Sequence, residues 1–125
     1  MASAAAVLVC VLNLLGRPMP PIVLLDVLPP DASRNAEAFV RRNPDTIYLM
    51  TTTSVFDDAR RGRLQALKKL ASILVHEEWH LRYGPDERGA YQAQLIELMR
   101  LGEAPGRPNF NGVFRSMLAV TRGTL

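Results

Sequence analysis

The stretch LASILVHEEWHLRYGP, residues 70–85, decides how this chain folds and where its chemistry lies. Its first part is strongly apolar, and Gly84-Pro85 supplies a stop that a helix does not cross easily. Good helix formers extend upstream as far as Asp57 or Asp58, and either carboxylate can cap the start of a helix. The sequence therefore predicts one long helix that runs from this point to Tyr83.

Both histidines of the chain, His76 and His80, lie in this predicted helix in the order H-E-x-x-H. Four residues of an α-helix turn the chain only about 40° past a full revolution, so both imidazoles leave the same face. Neutral imidazole binds zinc well, and a tetrahedral ion leaves room for a third protein ligand and a water. We expect His76 and His80 to be ligands of Zn²⁺.

Glu77 follows the first expected ligand directly and can reach a metal-bound water without binding the metal itself. It is the expected general base, which takes the proton of the water as a carbonyl is attacked and later passes it to the departing amine. The competing interpretation is that two histidines share a helix by chance. The apolar turn that precedes them argues against chance, because burying charged groups there without a use is costly. Trp79 is expected to pack, and Glu78 to be solvated or to support a metal ligand.

The third metal ligand must come from outside the motif, and the best candidate is Glu87, seven residues after His80 and just beyond the Gly-Pro break. Asp86 is the competing candidate, and either carboxylate fits the first turn of a helix without binding a metal. Tyr91 lies one helical turn after Glu87, so it is a candidate catalytic residue that donates a hydrogen bond to a developing oxyanion, although a core tyrosine explains it equally well. Tyr83 is a weaker candidate for the same role.

The rest of the chain alternates between helix and strand patterns and shows no internal repeat or linker. We predict an α+β fold in one domain, residues 1–125, with a small antiparallel sheet packed on the long helix. Ala90, Gln94, Leu95, Leu98 and Met99 form the expected inner stripe of the helix after Asp86. The other predicted elements are a helix that ends at Leu15, strands over Ile22–Leu28, Ala36–Arg41 and Thr46–Ser54, a hairpin between the last two, and a helix over Phe110–Val120.

Composition narrows the classes of function. The net charge is +3, but the basic residues are scattered; the densest group is Arg60, Arg61, Arg63, Lys68 and Lys69. No aromatic residues are interleaved among them, so a solvated face is favoured and nucleic acid is an unlikely partner. The apolar run Ala4–Leu15 is too short to span a membrane and lacks the features of a signal peptide, which favours a cytoplasmic protein. Cys10, within that run, is expected to be a buried thiol.

A strand followed by a helix carrying HEEWH, and then GPDERGAY opening a second helix, resembles the gluzincin branch of the zincin metallopeptidases in a minimal, single-domain form. The resemblance implies zinc bound by His76, His80 and Glu87, the last within an E-x-x-A pattern, with Glu77 as the base. It also implies that Thr46–Thr53 is the edge strand above the active site, where a peptide or protein substrate adds as a further strand. The expected function is a zinc-dependent endopeptidase or related amide hydrolase. The alternative is a non-catalytic or latent zincin-like module with a regulatory or interaction role.

Overall fold

The computed structural model describes residues 1–122, so the last three residues of the predicted domain lie outside the described part of the chain. The described residues form five helices and three strands and confirm the α+β class. In chain order the elements are α1 (Ala4–Leu15), β1 (Ile22–Leu25), β2 (Ala38–Arg41), β3 (Thr46–Met50), α2 (Ser54–Arg60), α3 (Leu64–Tyr83), α4 (Glu87–Arg100) and α5 (Pro108–Thr121).

The sheet has the strand order β1-β3-β2, and it is mixed and not antiparallel throughout. β2 and β3 form the expected antiparallel hairpin, whereas β1 runs parallel to β3, with Ile22 opposite Ile47. The prediction that Thr46–Thr53 is an edge strand is therefore wrong. β3 is the central strand, and its nearly continuous burial is typical of a strand covered on both faces. β2 is the edge strand on the side of the hairpin.

All three predicted strands are shorter than expected. β2 begins at Ala38 and not at Ala36. β1 ends at Leu25 and not at Leu28. β3 ends at Met50, because Thr53 turns to cap the next helix and its side chain accepts a hydrogen bond from the backbone N–H of Phe56 at 3.3 Å. A threonine that caps a helix is extended but no longer pairs in the sheet.

The predicted long helix is two helices, α2 and α3, separated by residues 61–63. Gly62 has a φ of +81°, a left-handed conformation that interrupts a helix and suits glycine. The helix therefore does not start at Asp57 or Asp58. Asp57 lies in the first turn of α2, and Asp58 instead pairs with Arg63 at 3.0 Å.

α3 lies at the centre of the molecule, between the sheet and α1 on one side and α4 on the other. Its residues Leu70 and Leu74 are fully buried in the main core together with Val11, Ile47 and Phe56. A smaller apolar cluster joins α4 to α5. The predicted inner stripe of α4 is confirmed at Ala90, Gln94, Leu95 and Leu98 and is wrong at Met99, which is 47% exposed.

The first helix matches its predicted end at Leu15, where Gly16 adopts a left-handed conformation. Val7, Val11 and Leu15 form its buried face, and Cys10 points away from it. The expectation of a buried thiol is therefore wrong. Among the described residues, no helix combines the length and the apolar character that crossing a membrane requires.

Candidate metal centre

α3 and α4 meet at the Gly84-Pro85 corner, and this brings the three predicted metal ligands together. His76 Nε2 lies 3.2 Å from His80 Nε2 and 3.3 Å from Glu87 Oε1. His80 Nε2 and Glu87 Oε1 are also in direct contact. The three side chains can therefore each offer one donor atom to a single ion.

The spacing of these atoms suits a small divalent cation. Ligands about 2.0–2.1 Å from a tetrahedral ion lie roughly 3.3 Å apart, which is close to the separation of the two Nε2 atoms and of His76 Nε2 from Glu87. Two imidazoles and one carboxylate are also a donor set that zinc accepts in sites with an open position.

A chain of buried hydrogen bonds orients His76. Ser72 Oγ donates to the backbone carbonyl of Lys69 at 2.7 Å, so its oxygen accepts from Gln94 Nε2 at 3.1 Å. The amide oxygen of Gln94 must then face His76 Nδ1, 2.9 Å away, and this ring nitrogen carries the proton. The lone pair of His76 is thus on Nε2, towards the other ligands.

His80 is oriented in the same sense by the backbone. Its Nδ1 lies 2.8 Å from the carbonyl oxygen of Gly84, and because a carbonyl only accepts, Nδ1 is the donor. The N–H of Gly84 in turn donates to the carbonyl of His80 at 3.0 Å and closes the end of α3. Gly84 has a φ of +101°, which few residues other than glycine adopt.

The residues therefore fit a metal ion on the chemistry of their donors. With both Nδ1 protons assigned, two ring lone pairs and a carboxylate oxygen face one another within hydrogen-bond distance. Three electron-rich atoms in contact need a proton or a cation between them. Burial also lowers the pKa of His76, which favours the neutral ring that a metal binds.

Glu77 lies beside this group without joining it. Its Oε2 is 4.0 Å from His76 Nε2, and its side chain is almost fully buried. Burial raises the pKa of Glu77 to about 8, and the negative charge of Glu87 adds to the effect. A positive charge at the three-ligand position opposes both effects and favours the carboxylate. This placement suits a base that acts next to an ion.

One option from the sequence was that Glu78 is solvated. It is instead buried, on the side of α3 away from the cleft. Arg17 reaches it with two hydrogen bonds of 2.9 and 2.6 Å, and Arg82 lies 3.6 Å from it. Its role is therefore to pair with arginine and to bind α3 to the segment after α1. Trp79 packs as expected, with its indole against Gly89 of α4.

The ligands open into a cleft of about 410 Å³, a size that ordinary ligand sites have. α3 and α4 form its floor, the segment 33–38 before and within β2 forms one wall, and Gly112, Val113 and Ser116 of α5 form the other. Neither wall could be predicted from the sequence. Both arise from the way that distant segments pack.

Of the remaining residues that the sequence predicted for the site, Tyr91 lies in the cleft, whereas Asp86 and Tyr83 do not. Tyr91 lines the cleft, with its ring 4.6 Å from that of His76 between centroids, and burial raises its pKa. Asp86 is not among the three grouped donors and caps α4, where it accepts from the N–H of Arg88 at 3.2 Å. Tyr83 is 67% exposed and packs on Trp79, outside the cleft.

Gln94, which contacts His76 Nδ1, was predicted only as part of the inner stripe of α4. A sequence signal for this contact was present, because Gln94 is a polar residue on an otherwise apolar stripe, two helical turns after Glu87.

Comparison with protein-family models, with curated proteins and with solved structures finds no match to this chain. The geometry of the site is therefore the basis for an assignment.

Proposed function

We propose that this protein is a zinc-dependent peptidase or related amide hydrolase. The observation that carries the proposal is the convergence of His76, His80 and Glu87 on one point at the floor of an open cleft, with Glu77 4.0 Å from His76 Nε2. A closed set of four protein ligands is typical of a structural zinc, whereas three ligands beside a cleft leave a position for water and substrate. When bound, zinc acidifies a water and polarises the substrate carbonyl.

The side chains around that position supply the proton transfers. Glu77 Oε2 is placed to take a proton from the attacking water and to hand it to the amine that leaves. We assign the hydrogen bond to the oxygen that becomes negative in the transition state to the hydroxyl of Tyr91, which is one turn from Glu87 and lines the cleft. Gln94 and the carbonyl of Gly84 hold the two imidazoles in position.

The place of a peptide substrate differs from the one that the resemblance implied, because Thr46–Met50 is the central strand. β2 is the free edge next to the cleft, and Ala36, Glu37 and Ala38 line it. An extended peptide that pairs with this edge passes over the metal position. The main-chain hydrogen bonds of such a pairing do not depend on the sequence of the substrate.

The test combines metal analysis with a matched pair of variants. Protein purified without added metal and then dialysed against zinc should bind one ion per chain, and Glu77→Gln should keep that ion. Hydrolysis of a peptide library should fall about 10³-fold in Glu77→Gln, because a general base contributes on that order. The control is Glu78→Gln, the adjacent buried glutamate, which should keep its activity when assayed well below its melting temperature.

The same measurements also distinguish a peptidase from a non-catalytic or latent metal-binding module. Stoichiometric zinc with no hydrolysis of any peptide by the wild type would favour the non-catalytic or latent module. Hydrolysis that persists in Glu77→Gln, in protein free of contaminating peptidase, would contradict the assignment of the base. Zinc that does not bind would contradict the metal centre itself.

A further inference from the structure

The basic stretch of sequence around Lys69 had suggested a solvated face. Lys69 instead lines the cleft. It is half-buried and lines the same cleft as the metal ligands. Lys69 precedes His76 by seven positions of α3, so their Cα atoms lie about 10 Å apart along the helix axis and within roughly 20° of the same face. Lys69 and the ligands therefore look into one space from one helix.

Lys69 is also the single lysine or arginine among the described residues that line this cleft. Within residues 1–122 its ammonium group makes no ion pair or side-chain hydrogen bond, whereas most arginines that approach α3 and α4 are paired. A half-buried ammonium without a partner has lost part of its hydration and gains from an anionic partner. Such a partner has to enter from the cleft.

The neighbouring lysine behaves differently. Lys68 turns towards the corner between α4 and α5, where its Nζ lies 3.9 Å from the place of a Cβ on Gly102, and it does not line the cleft. Both lysines are half-buried on α3. Lys68 is therefore a matched control for the charge, the helix and the degree of burial.

Apolar side chains line the same cleft as Lys69 and the candidate metal ligands. They are Ile73 of α3, Val113 of α5 and Ala36 of the segment before β2. Glu37 lines the same wall as Ala36, and its charge acts on Tyr91, next to the ligands. The cleft thus combines the cation of Lys69, several apolar side chains and the charge of Glu37 near Tyr91.

We propose that Lys69 selects substrates that carry a carboxylate about three residues from the bond that is cleaved, because an extended chain covers about 10 Å in three residues. This inference rests on the proposed hydrolase function and names its substrate class. The carboxylate is either an Asp or Glu side chain or the free C-terminus of a peptide. An amide in its place leaves the ammonium group of Lys69 without its partner.

The experiment measures binding and cleavage separately. Peptides of one apolar core carry Glu, Gln or Lys at each position up to four residues on either side of the central bond, and each is made with a free and an amidated C-terminus. Binding to zinc-loaded Glu77→Gln protein is measured by calorimetry, and kcat/KM is measured with the wild type. Both series are repeated with Lys69→Met, Lys69→Glu and the control Lys68→Met, after circular dichroism has shown that each variant is folded.

Glu should be preferred over Gln at one position by about tenfold in Kd, and Lys69→Met should remove that preference while Lys68→Met keeps it. Lys69→Glu should reverse it in favour of Lys at the same position. If the preference follows the free C-terminus and not a side chain, the substrate carboxylate is the terminal one. A preference that is absent, or that survives in Lys69→Met, overturns the proposal. Absence of cleavage by the wild type counts against the hydrolase and leaves this binding result intact.

Discussion

Two adjacent glutamates of α3, Glu77 and Glu78, are both buried and meet opposite surroundings. Glu78 faces the side of the helix away from the cleft, where Arg17 holds it with two hydrogen bonds and Arg82 adds its charge. Glu77 faces the cleft, where the nearest cation-forming group is His76 at 4.0 Å. Burial raises the pKa of Glu77 to about 8. Glu78 instead forms an ion pair with Arg17.

The difference shows how one helix divides its work. A buried carboxylate needs a paired cation, and on the far side of α3 the protein supplies one from its own chain. On the cleft side, no lysine or arginine of residues 1–122 forms an ion pair with Glu77, and the proposed metal ion would supply the missing positive charge. The comparison extends to the whole helix, since one side is packed and the other is open.

Of the three comparisons that follow, we expect the largest effect from a substitution of Gln94, on the cleft side of α3. Gln94→Leu removes the acceptor of His76 Nδ1, so the ring loses its orientation and zinc affinity should fall about 10–100-fold. Competition with a chromophoric chelator measures the affinity. Gln92→Leu, at an exposed position of the same helix, is the control and should bind zinc as the wild type does. Equal affinity in the two variants would mean that Gln94 does not orient the ligand.

The far side can be broken through Arg17. Arg17→Met leaves the Glu78 carboxylate buried without its two hydrogen bonds, and because Arg17 is itself partly exposed we expect a loss of about 2 kcal/mol in the free energy of unfolding. Urea denaturation in the presence of chelator measures it, and zinc affinity should not change. The double variant Arg17→Met/Glu78→Met should recover most of the loss, because an apolar pair needs no partner. A double variant as unstable as the single one would contradict this account.

The packing of the two sides can be compared with two glycines in helices. An added Cβ at Gly89 meets Trp79 Cζ2 at 2.2 Å, whereas at Gly112, on the cleft wall, the nearest atom is 3.9 Å away. Gly112→Ala should stabilise the protein by about 0.5–1 kcal/mol, the ordinary gain in a helix. Gly89→Ala should instead destabilise it by about 1–2 kcal/mol through the clash. Thermal melts of the pair measure the difference, and a gain in both would mean that the indole yields freely.

The proximity of the three candidate metal ligands could be predicted from the sequence because it depends on local geometry. His76 and His80 share a helix face, and Glu87 follows a Gly-Pro corner only eleven positions after His76. The cap at Asp86 is equally local, since the side chain bonds an N–H two residues away. In each case the period of the helix or the chemistry of a turn is enough to place the residue.

The features that sequence could not show depend on distant segments. Arg17 and Glu78 are 61 positions apart, and nothing in either neighbourhood announces the other. The central position of β3 depends on β1 pairing in parallel with it, which a pattern of apolar residues does not specify. The break at Gly62 is a local signal that strong helix formers on both sides concealed. Cleft walls built from 33–38 and α5 are likewise a product of packing.

Gly84 joins two properties that are usually separate, because its N–H terminates α3 while its carbonyl oxygen accepts a hydrogen bond from Nδ1 of His80. The interval of four between His80 and Gly84 is therefore as constrained as the interval between the two histidines. An insertion of one residue in this interval would shift the point of chain reversal and rotate the imidazole at the same time. The length of α3 and the orientation of the His80 imidazole cannot be altered independently.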